Sequence, residues 1–391
     1  MKVLILADQS QRIRSQINLL KELCKKRRNI VITLIVDCIN EDKVFQSIQN
    51  LKNVNIIYII PSKKLNKDDK GLKKKGILHK FIKYTSVGQF FYFFIQFVKM
   101  FRYVKKADTI ITHEKPDVII LNGDRRSVSL EQAFLKKSIQ KSIRTIIPYT
   151  CVMSNGISIR LLDINSFRIK TLFDKFVFNF FRHITKKVEN EEIIFYDASS
   201  TLVLSLFGTL SKNPWLIGNG LSDIVCIDNN FSFNKYQNDM LFPSKFKIIG
   251  DIEYDSLYIN SNLEKDNFYN KYNIKIDKEI VIVALPQLAE HLILSWKEHW
   301  AEINFIMEEL NKFDLNLLIS LHPKMDIVNY YYLESKYNCR ILDEELKIVL
   351  SYSDLFIASN SSTVIWSTIL GIKTIIVNYY GLDVSFFNGI K

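Results

Sequence analysis

Residues Glu279–Leu285 read EIVIVAL and residues Leu315–Leu321 read LNLLISL, with the amphipathic segment Trp296–Lys312 between them. Each flanking run is short and dominated by Val, Ile and Leu, as a strand buried on both faces requires, and the middle segment is long enough for a helix. Strand, helix and strand in that order make a right-handed crossover with the two strands parallel. The pattern continues with a short strand at Arg340–Leu342, a helix at Leu346–Tyr352 and the strand DLFIA at Asp354–Ala358. A helix at Thr363–Leu370, closed by Gly371 as its C-cap, then leads to the strand Thr374–Asn378. The amino half alternates in the same way. Val3–Ala7, Ile30–Val36, Val54–Ile60, Asp117–Leu121 and Thr145–Pro148 read as strands, and Ser15–Lys26 and Leu130–Lys141 as helices. An Asn-, Asp-, Tyr- and Lys-rich span at 251–277 lies between the halves and reads as a hinge. The expectation is an α/β chain of two parallel-sheet domains, 1–250 and 278–391, facing a central cleft. The sequence ends at Lys391, soon after a strand, where such a domain ordinarily continues with helices; a truncated and an unusually short form both remain open.

Apolar residues at 48% and charged residues at 24% describe a globular chain and exclude extended disorder. The five cysteines, Cys24, Cys38, Cys151, Cys226 and Cys339, are scattered with no C-x-x-C pair, so neither a disulfide framework nor a zinc knuckle follows. Met1-Lys2 runs directly into the apolar strand, without the h-region of a signal peptide. A reducing cytoplasm is the expected compartment.

The net charge of +12 is concentrated in an insertion at 63–106, which carries Lys73-Lys74-Lys75, Lys80, Lys83, Lys99, Arg102, Lys105 and Lys106. Inside it lies the aromatic run Gln89–Phe101, too short and too flanked by charge to span a bilayer. On a helix Phe90, Phe93, Phe94, Phe97 and Phe101 share one face. Two readings stay open: a core helix with a solvated basic flank, or a surface that docks on an anionic membrane. Nucleic acid is not expected, because no recognition module accompanies the charge.

In open parallel sheets, ligands bind beyond the carboxyl ends of strands. His322, followed by Pro323 and Lys324, occupies one such end; a histidine there can donate to a phosphate oxygen, or serve structure alone. Ser359-Asn360-Ser361-Ser362-Thr363 follows DLFIA and opens a helix, where hydroxyls and backbone N–H groups suit either an anion or an ordinary N-cap. Glu290 and His291 follow EIVIVAL and stand as donor or acceptor ligands. In the amino half, Asp124 and Glu131 sit at and after a strand end and are the candidates for a general base, with Asp8 a further one; pairing of Asp124 with Arg125 or Arg126 is the plainer alternative. Pro214-Trp215 and the turn Gly218-Asn219-Gly220 read as an acceptor-site lining or as a turn alone. No Walker motif, G-x-G-x-x-G, H-E-x-x-H or D-x-D pair is present, which sets a metal-independent reaction without cofactor as the default.

His-Pro after one strand and Ser-Ser-Thr after the next but one resembles the carboxyl domain of GT-B-fold glycosyltransferases, whose two Rossmann-like domains face a cleft. Bacterial sialyltransferases and polysialyltransferases, and the capsule and teichoic-acid polymerising enzymes, carry these motifs in this order. By that resemblance His322, with Pro323 and Lys324 beside it, and Ser361, Ser362 and Thr363 hold the donor phosphate. Asn122-Gly123-Asp124-Arg125, followed by Glu131, looks like the Gly-Asp turn of non-hydrolysing UDP-GlcNAc 2-epimerases. Ile248–Asp255 is similar to a stretch before the hinge in both groups. The Asp-Ser-Gly-Gly-x-x-Glu-Glu signature of the epimerases is here Ser359–Trp366, without its carboxylates, and the sialyltransferases' paired-acid-Gly motif is not found. The resemblance implies an inverting, metal-independent glycosyltransferase. Its donor would be nucleotide-activated, CMP-linked acidic sugars leading and UDP-sugars next. Its acceptor would be a bacterial surface glycan, free or lipid-linked, at the inner face of the membrane. A UDP-N-acetylhexosamine 2-epimerase-like enzyme and a non-catalytic membrane-associated scaffold are the alternatives.

Overall fold

The computed structural model describes residues 1–7, 19–26, 29–36, 48, 51, 53–58, 85–149, 157, 160, 167–188, 190–251, 254–255, 257, 265–290, 293–322, 325–359 and 361–377. The chain divides into two compact units, Met1–Asp251 and Ile252–Lys391.

The first unit contains β1 (Lys2–Ala7), β2 (Val31–Val36), β3 (Val54–Tyr58), α1 (Ser86–Glu114), β4 (Val118–Ile120), α2 (Leu130–Gln140) and β5 (Arg144–Ile147). It continues through α3 (Leu172–Phe180), β6 (Thr185–Val188), β7 (Glu191–Ile194), α4 (Ala198–Leu206), β8 (Ile224–Ile227), α5 (Asn230–Tyr236) and β9 (Phe246–Ile248). Seven strands pair in the order β3-β2-β1-β4-β5-β8-β9, all parallel, while β6 and β7 form a separate antiparallel pair. Strand alternation sorts the side chains of β1: Leu4 and Leu6 join the core beneath α1, α2 and α4, while Val3, Ile5 and Ala7 join a second core with Leu20. With both faces covered the strand needs no polar residue, which explains its unbroken apolar run.

The second unit holds α6 (Lys265–Tyr272), β10 (Ile280–Ala284), α7 (Trp296–Leu310), β11 (Asn316–Ser320), α8 (Tyr332–Lys336), β12 (Cys339–Ile341), α9 (Leu346–Val349), β13 (Leu355–Ala358), α10 (Thr363–Ile369) and β14 (Lys373–Ile376). The sheet order is β12-β11-β10-β13-β14, again all parallel. Val281 and Val283 face Ile303 and Met307 of α7, and Ile280 and Ile282 face Phe268 and Tyr272 of α6. The expected fold class stands: two Rossmann-like parallel-sheet units, the fold of GT-B proteins. Within the span 251–277 read as a hinge, α6 anchors Phe268 and Tyr272 in the second unit's core. An aromatic pair at i and i+4 amid polar residues is a short amphipathic signal that composition hides.

The core reading of the aromatic helix is corrected. In α1 the buried residues are Gly88, Gln89, Gln96, Met100, Ala107, Ile110 and Ile111, whereas Phe90, Phe91, Phe94, Ile95, Phe97, Val98 and Phe101 are exposed. Polar bonds turn the helix this way. Gln89 Nε2 donates to Asp174 at 3.3 Å, Thr171 Oγ1 donates to Gln89 Oε1 at 3.1 Å, and Ser199 Oγ donates to the Gln89 carbonyl at 2.7 Å. Small residues Gly88 and Ala107 lie on the same inward face. Among the described residues no helix is long and apolar enough to cross a membrane.

Candidate functional site

Each sheet has a Rossmann-type switch point, where crossovers leave to opposite sides: between β1 and β4 in the first unit, and between β10 and β13 in the second. The loops that follow those strands carry most of the expected site residues.

In the first unit Leu121-Asn122-Gly123-Asp124 leaves β4. Asn122 Nδ2 donates to the Leu6 carbonyl at 2.8 Å, tying the ends of β4 and β1 together. Glu131, in the first turn of α2, is wholly buried and accepts from the N–H groups of Asn122 (2.7 Å) and Gly123 (3.1 Å). Arg126 Nη1 lies 3.7 Å from its other oxygen. Asp124 is 1% exposed. Its Oδ1 accepts from Gly218 N at 2.9 Å, and its Oδ2 from Gly220 N at 3.0 Å and Ser222 Oγ at 2.7 Å. A Cβ at Gly220 would meet the Asp124 main-chain oxygen at 2.6 Å and its carboxyl carbon at 2.8 Å, so only glycine lets the 218–222 turn close on the carboxylate. Buried, with Asp124 accepting on both oxygens and Glu131 accepting on Oε1 and facing Arg126 with Oε2, the two carboxylates build the turn after β4. The general-base role expected for them does not fit this geometry, because a base needs an oxygen open to the acceptor hydroxyl. The alternative pairing of Asp124 with an arginine is not what holds it either; main-chain N–H groups and a serine do. Arg125 Nη1 donates to the Trp215 carbonyl at 2.8 Å.

In the second unit three neighbouring strands, β11, β10 and β13, end in candidate residues. Glu290, in the loop after β10, accepts on Oε1 from Tyr330 Oη at 2.9 Å, and Tyr330 Oη meets His299 Nε2 at 2.9 Å. Tyr330 and His299 are fully buried. Burial pulls the His299 pKa down, with Glu290 opposing, and burial and then Glu290 push the Tyr330 pKa up, so both rings are neutral near pH 7. Glu290 Oε2 is buried and has no partner among the described residues. His322 is exposed at the end of β11; its N–H donates to Met325 Sδ at 3.3 Å and its carbonyl accepts from Met325 N at 2.8 Å. After β13, Ser359 is buried with its Oγ unpartnered among the described residues, and a small crevice lined by Ala284, Pro286, Ala358 and Ser359 lies beside it. Ser361 Oγ meets Thr363 Oγ1 at 2.7 Å and accepts from Thr363 N at 3.3 Å. Ser362 takes the N-cap position of α10 without a side-chain cap bond, and is exposed. Four hydroxyls therefore stand at this strand end, those of Ser359, Ser361, Ser362 and Thr363, and of them Ser361 accepts from the first-turn N–H of Thr363.

Asp8, His291, Pro323, Lys324, the insertion from 63 to 84 and most of the hinge lie outside the described residues. Sequence reasoning missed His299 and Tyr330. His299 falls on the inward stripe of α7 with Ile303 and Met307, the available signal; nothing local marks Tyr330 as its partner. Among the described residues no cluster of His, Cys, Asp and Glu is arranged to hold a metal ion.

Three solved structures share the fold. They are the S. aureus MnaA–UDP co-structure (11% identity, 97% of this chain and 79% of that one, TM-score 0.53) and UDP-GlcNAc 2-epimerase from Methanocaldococcus jannaschii (15%, 96% and 83%, 0.51). The third is UDP-GlcNAc 2-epimerase from Neisseria meningitidis bound to UDP-GlcNAc (14%, 96% and 82%, 0.50). At such identities the likeness is one of fold, GT-B broadly, and does not separate sialyltransferase from epimerase. No protein-family model matches the chain, and no curated protein sequence matches it significantly.

Proposed function

We propose that this chain is a sugar-nucleotide enzyme, and that its reaction is metal-independent, inverting glycosyl transfer from a nucleotide donor to a surface glycan. The observation that carries the reading is the set of groups at three adjacent strand ends of the second unit: Glu290, His322 and the hydroxyls of Ser361, Ser362 and Thr363. Cleaving a sugar–phosphate bond leaves charge on a phosphate oxygen. An imidazole and neighbouring hydroxyls are the donors to stabilise it where no D-x-D pair supplies a cation. His322, Ser361, Ser362 and Thr363 take that role here, with Pro323, Lys324 and His291 beside them in sequence. Glu290 has one oxygen fixed by Tyr330, and its second, unpartnered among the described residues, serves as a binding group for donor or acceptor. Asp124 and Glu131 shape the first unit's strand-end turn, and Arg125 serves substrate there. A CMP-linked acidic sugar leads as donor, and a UDP-sugar follows.

A second reading, sugar-nucleotide epimerisation, draws support from the two fold neighbours named UDP-GlcNAc 2-epimerase, at TM-scores of 0.50 and 0.51. Incubation with radiolabelled nucleotide sugars, with and without glycan acceptor, separates the two. Transfer requires acceptor and releases free nucleotide, whereas epimerisation converts the donor alone. Neither product from any donor would leave a non-catalytic scaffold.

We place the enzyme on an anionic membrane through α1 and α3. Leu172, Phe176 and Phe180 form an exposed stripe on α3 at i, i+4 and i+8, and α3 packs against α1 with its own exposed aromatics. Lys99, Arg102 and Lys105 lie along the same stretch of α1, Lys175 is in α3 and Arg182 follows it. Apolar tips for the acyl boundary beside cations for lipid phosphates suit a monotopic surface and a lipid-linked acceptor.

A further inference from the structure

An aromatic cluster in the first unit gathers cations and donors distinct from those at the second unit's strand ends. Phe195 and Tyr196 follow β7, and Trp215 lies in the loop that Arg125 holds by its carbonyl. Their rings meet edge to face, Phe195–Tyr196 at 4.8 Å and Phe195–Trp215 at 5.3 Å between centroids. The Arg160 guanidinium stands 3.7 Å from the Phe195 centroid and 5.5 Å from that of Trp215. Arg125 is 5.8 Å from Phe195, and Lys186 Nζ is 5.9 Å from Trp215. The three rings are buried, whereas the three cations are only half-buried and so reach solvent.

Two arginines over one ring repel each other. Burial, and after it the Arg125 charge, pull the Arg160 pKa down to about 10. At neutral pH both remain charged. Among the described residues Tyr196 Oη and Trp215 Nε1 are buried without a hydrogen-bond partner. Buried polar groups in folded proteins are nearly always paired, so two orphans on rings that both pack on Phe195 call for an explanation. Asp124 is the carboxylate that acts on Tyr196, but its oxygens are taken by Gly218, Gly220 and Ser222. Arginine, lysine and tryptophan side chains offer donors and no acceptor, and a neutral phenol can donate as well. The ligand complementary to such a set is an oxyanion, which brings several acceptors and negative charge together.

We propose that Arg125, Arg160 and Lys186, with Tyr196 and Trp215, form an anion site in the first unit that takes a carboxylate or phosphate group. Assigning that group to the acceptor glycan rests on the transferase reading; the site itself does not.

The test follows the indole N–H signals of the full chain by ¹⁵N NMR, with Trp215 identified among the four tryptophans by Trp215→Phe. Sodium phosphate and sodium glucuronate are titrated separately, with sodium chloride at equal ionic strength as the control. A saturable shift at Trp215 with either anion is expected, and the anion that produces it names the group. Arg160→Gln should weaken the affinity tenfold or more, and Tyr196→Phe, which keeps the ring packing, several-fold. Arg160→Lys keeps the charge and the stem, and should weaken binding while the remaining spectrum stays in place. No shift beyond that with chloride, or equal affinity in all these variants, would overturn the proposal. Because no nucleotide enters the experiment, its failure leaves the second unit's donor site untouched.

Discussion

Asp124 accepts hydrogen bonds from Gly218 N, Gly220 N and Ser222 Oγ, so its replacement is expected to act on folding before chemistry. Hydrogen bonds to a buried charge contribute about 1.5–3 kcal/mol each, and Asp124→Asn would set an amide N–H₂ against N–H donors. Urea unfolding should show a loss of about 3 kcal/mol or more for that variant; full stability with lost turnover would instead return Asp124 to the catalytic machinery. Gly220→Ala should destabilise in the same assay, since its Cβ would meet the same carboxyl group at 2.8 Å. His299 gives the pH prediction. Its folded pKa lies below the ordinary 6.5 because it is buried, so the unfolded chain takes up the proton first. Stability from this group is complete above pH 6.5 and falls as the pH drops below it. The urea midpoint should decline from pH 7 to 5, less so in His299→Gln; an identical slope in both would remove His299 from the account. Position alone pointed to Asp124 and Glu131, and both do stand at the strand end. Their partners for hydrogen bonding were not legible, since the loop that engages Asp124 lies more than ninety residues further along the chain.

At the scale of elements, the proposed membrane placement rests on α1 and α3. Their exposed phenylalanines would each gain about 1.5–3 kcal/mol on full burial in an apolar phase, and nearby lysines and arginines add about 1 kcal/mol each against anionic lipid. Phe94→Glu combined with Phe176→Glu should cut co-sedimentation with phosphatidylserine-containing vesicles at least fivefold while the melting temperature holds, because both side chains are exposed. Unchanged sedimentation would rule the two helices out as the docking surface. The strands and crossovers were legible because both-face burial writes itself as continuous β-branched runs, as in β1 and β10. The facing of α1 was not. A stripe of phenylalanines ordinarily points inward, and only the bonds of Gln89 to Asp174, Thr171 and Ser199 show why a polar face is buried instead.

For the whole molecule, two parallel sheets with Rossmann-type order put their switch points at predictable loops, and that much followed from the alternation of elements. What alternation does not specify is which ligand those loops recognise, since one fold hosts many reactions and the deciding groups are a few side chains, proposed here to be Glu290, His322 and Ser362. The central claim is that the second unit's strand ends bind a nucleotide phosphate. Thermal unfolding with CMP, CDP, UDP and GDP, repeated for His322→Ala and Ser362→Ala, tests it most directly. Both variants alter exposed side chains and should melt like the parent in buffer alone. The account predicts that one nucleotide raises the parent's melting temperature and that both variants lose most of that rise. No stabilisation by any of the four at millimolar concentration, or an equal rise in parent and variants, would contradict it.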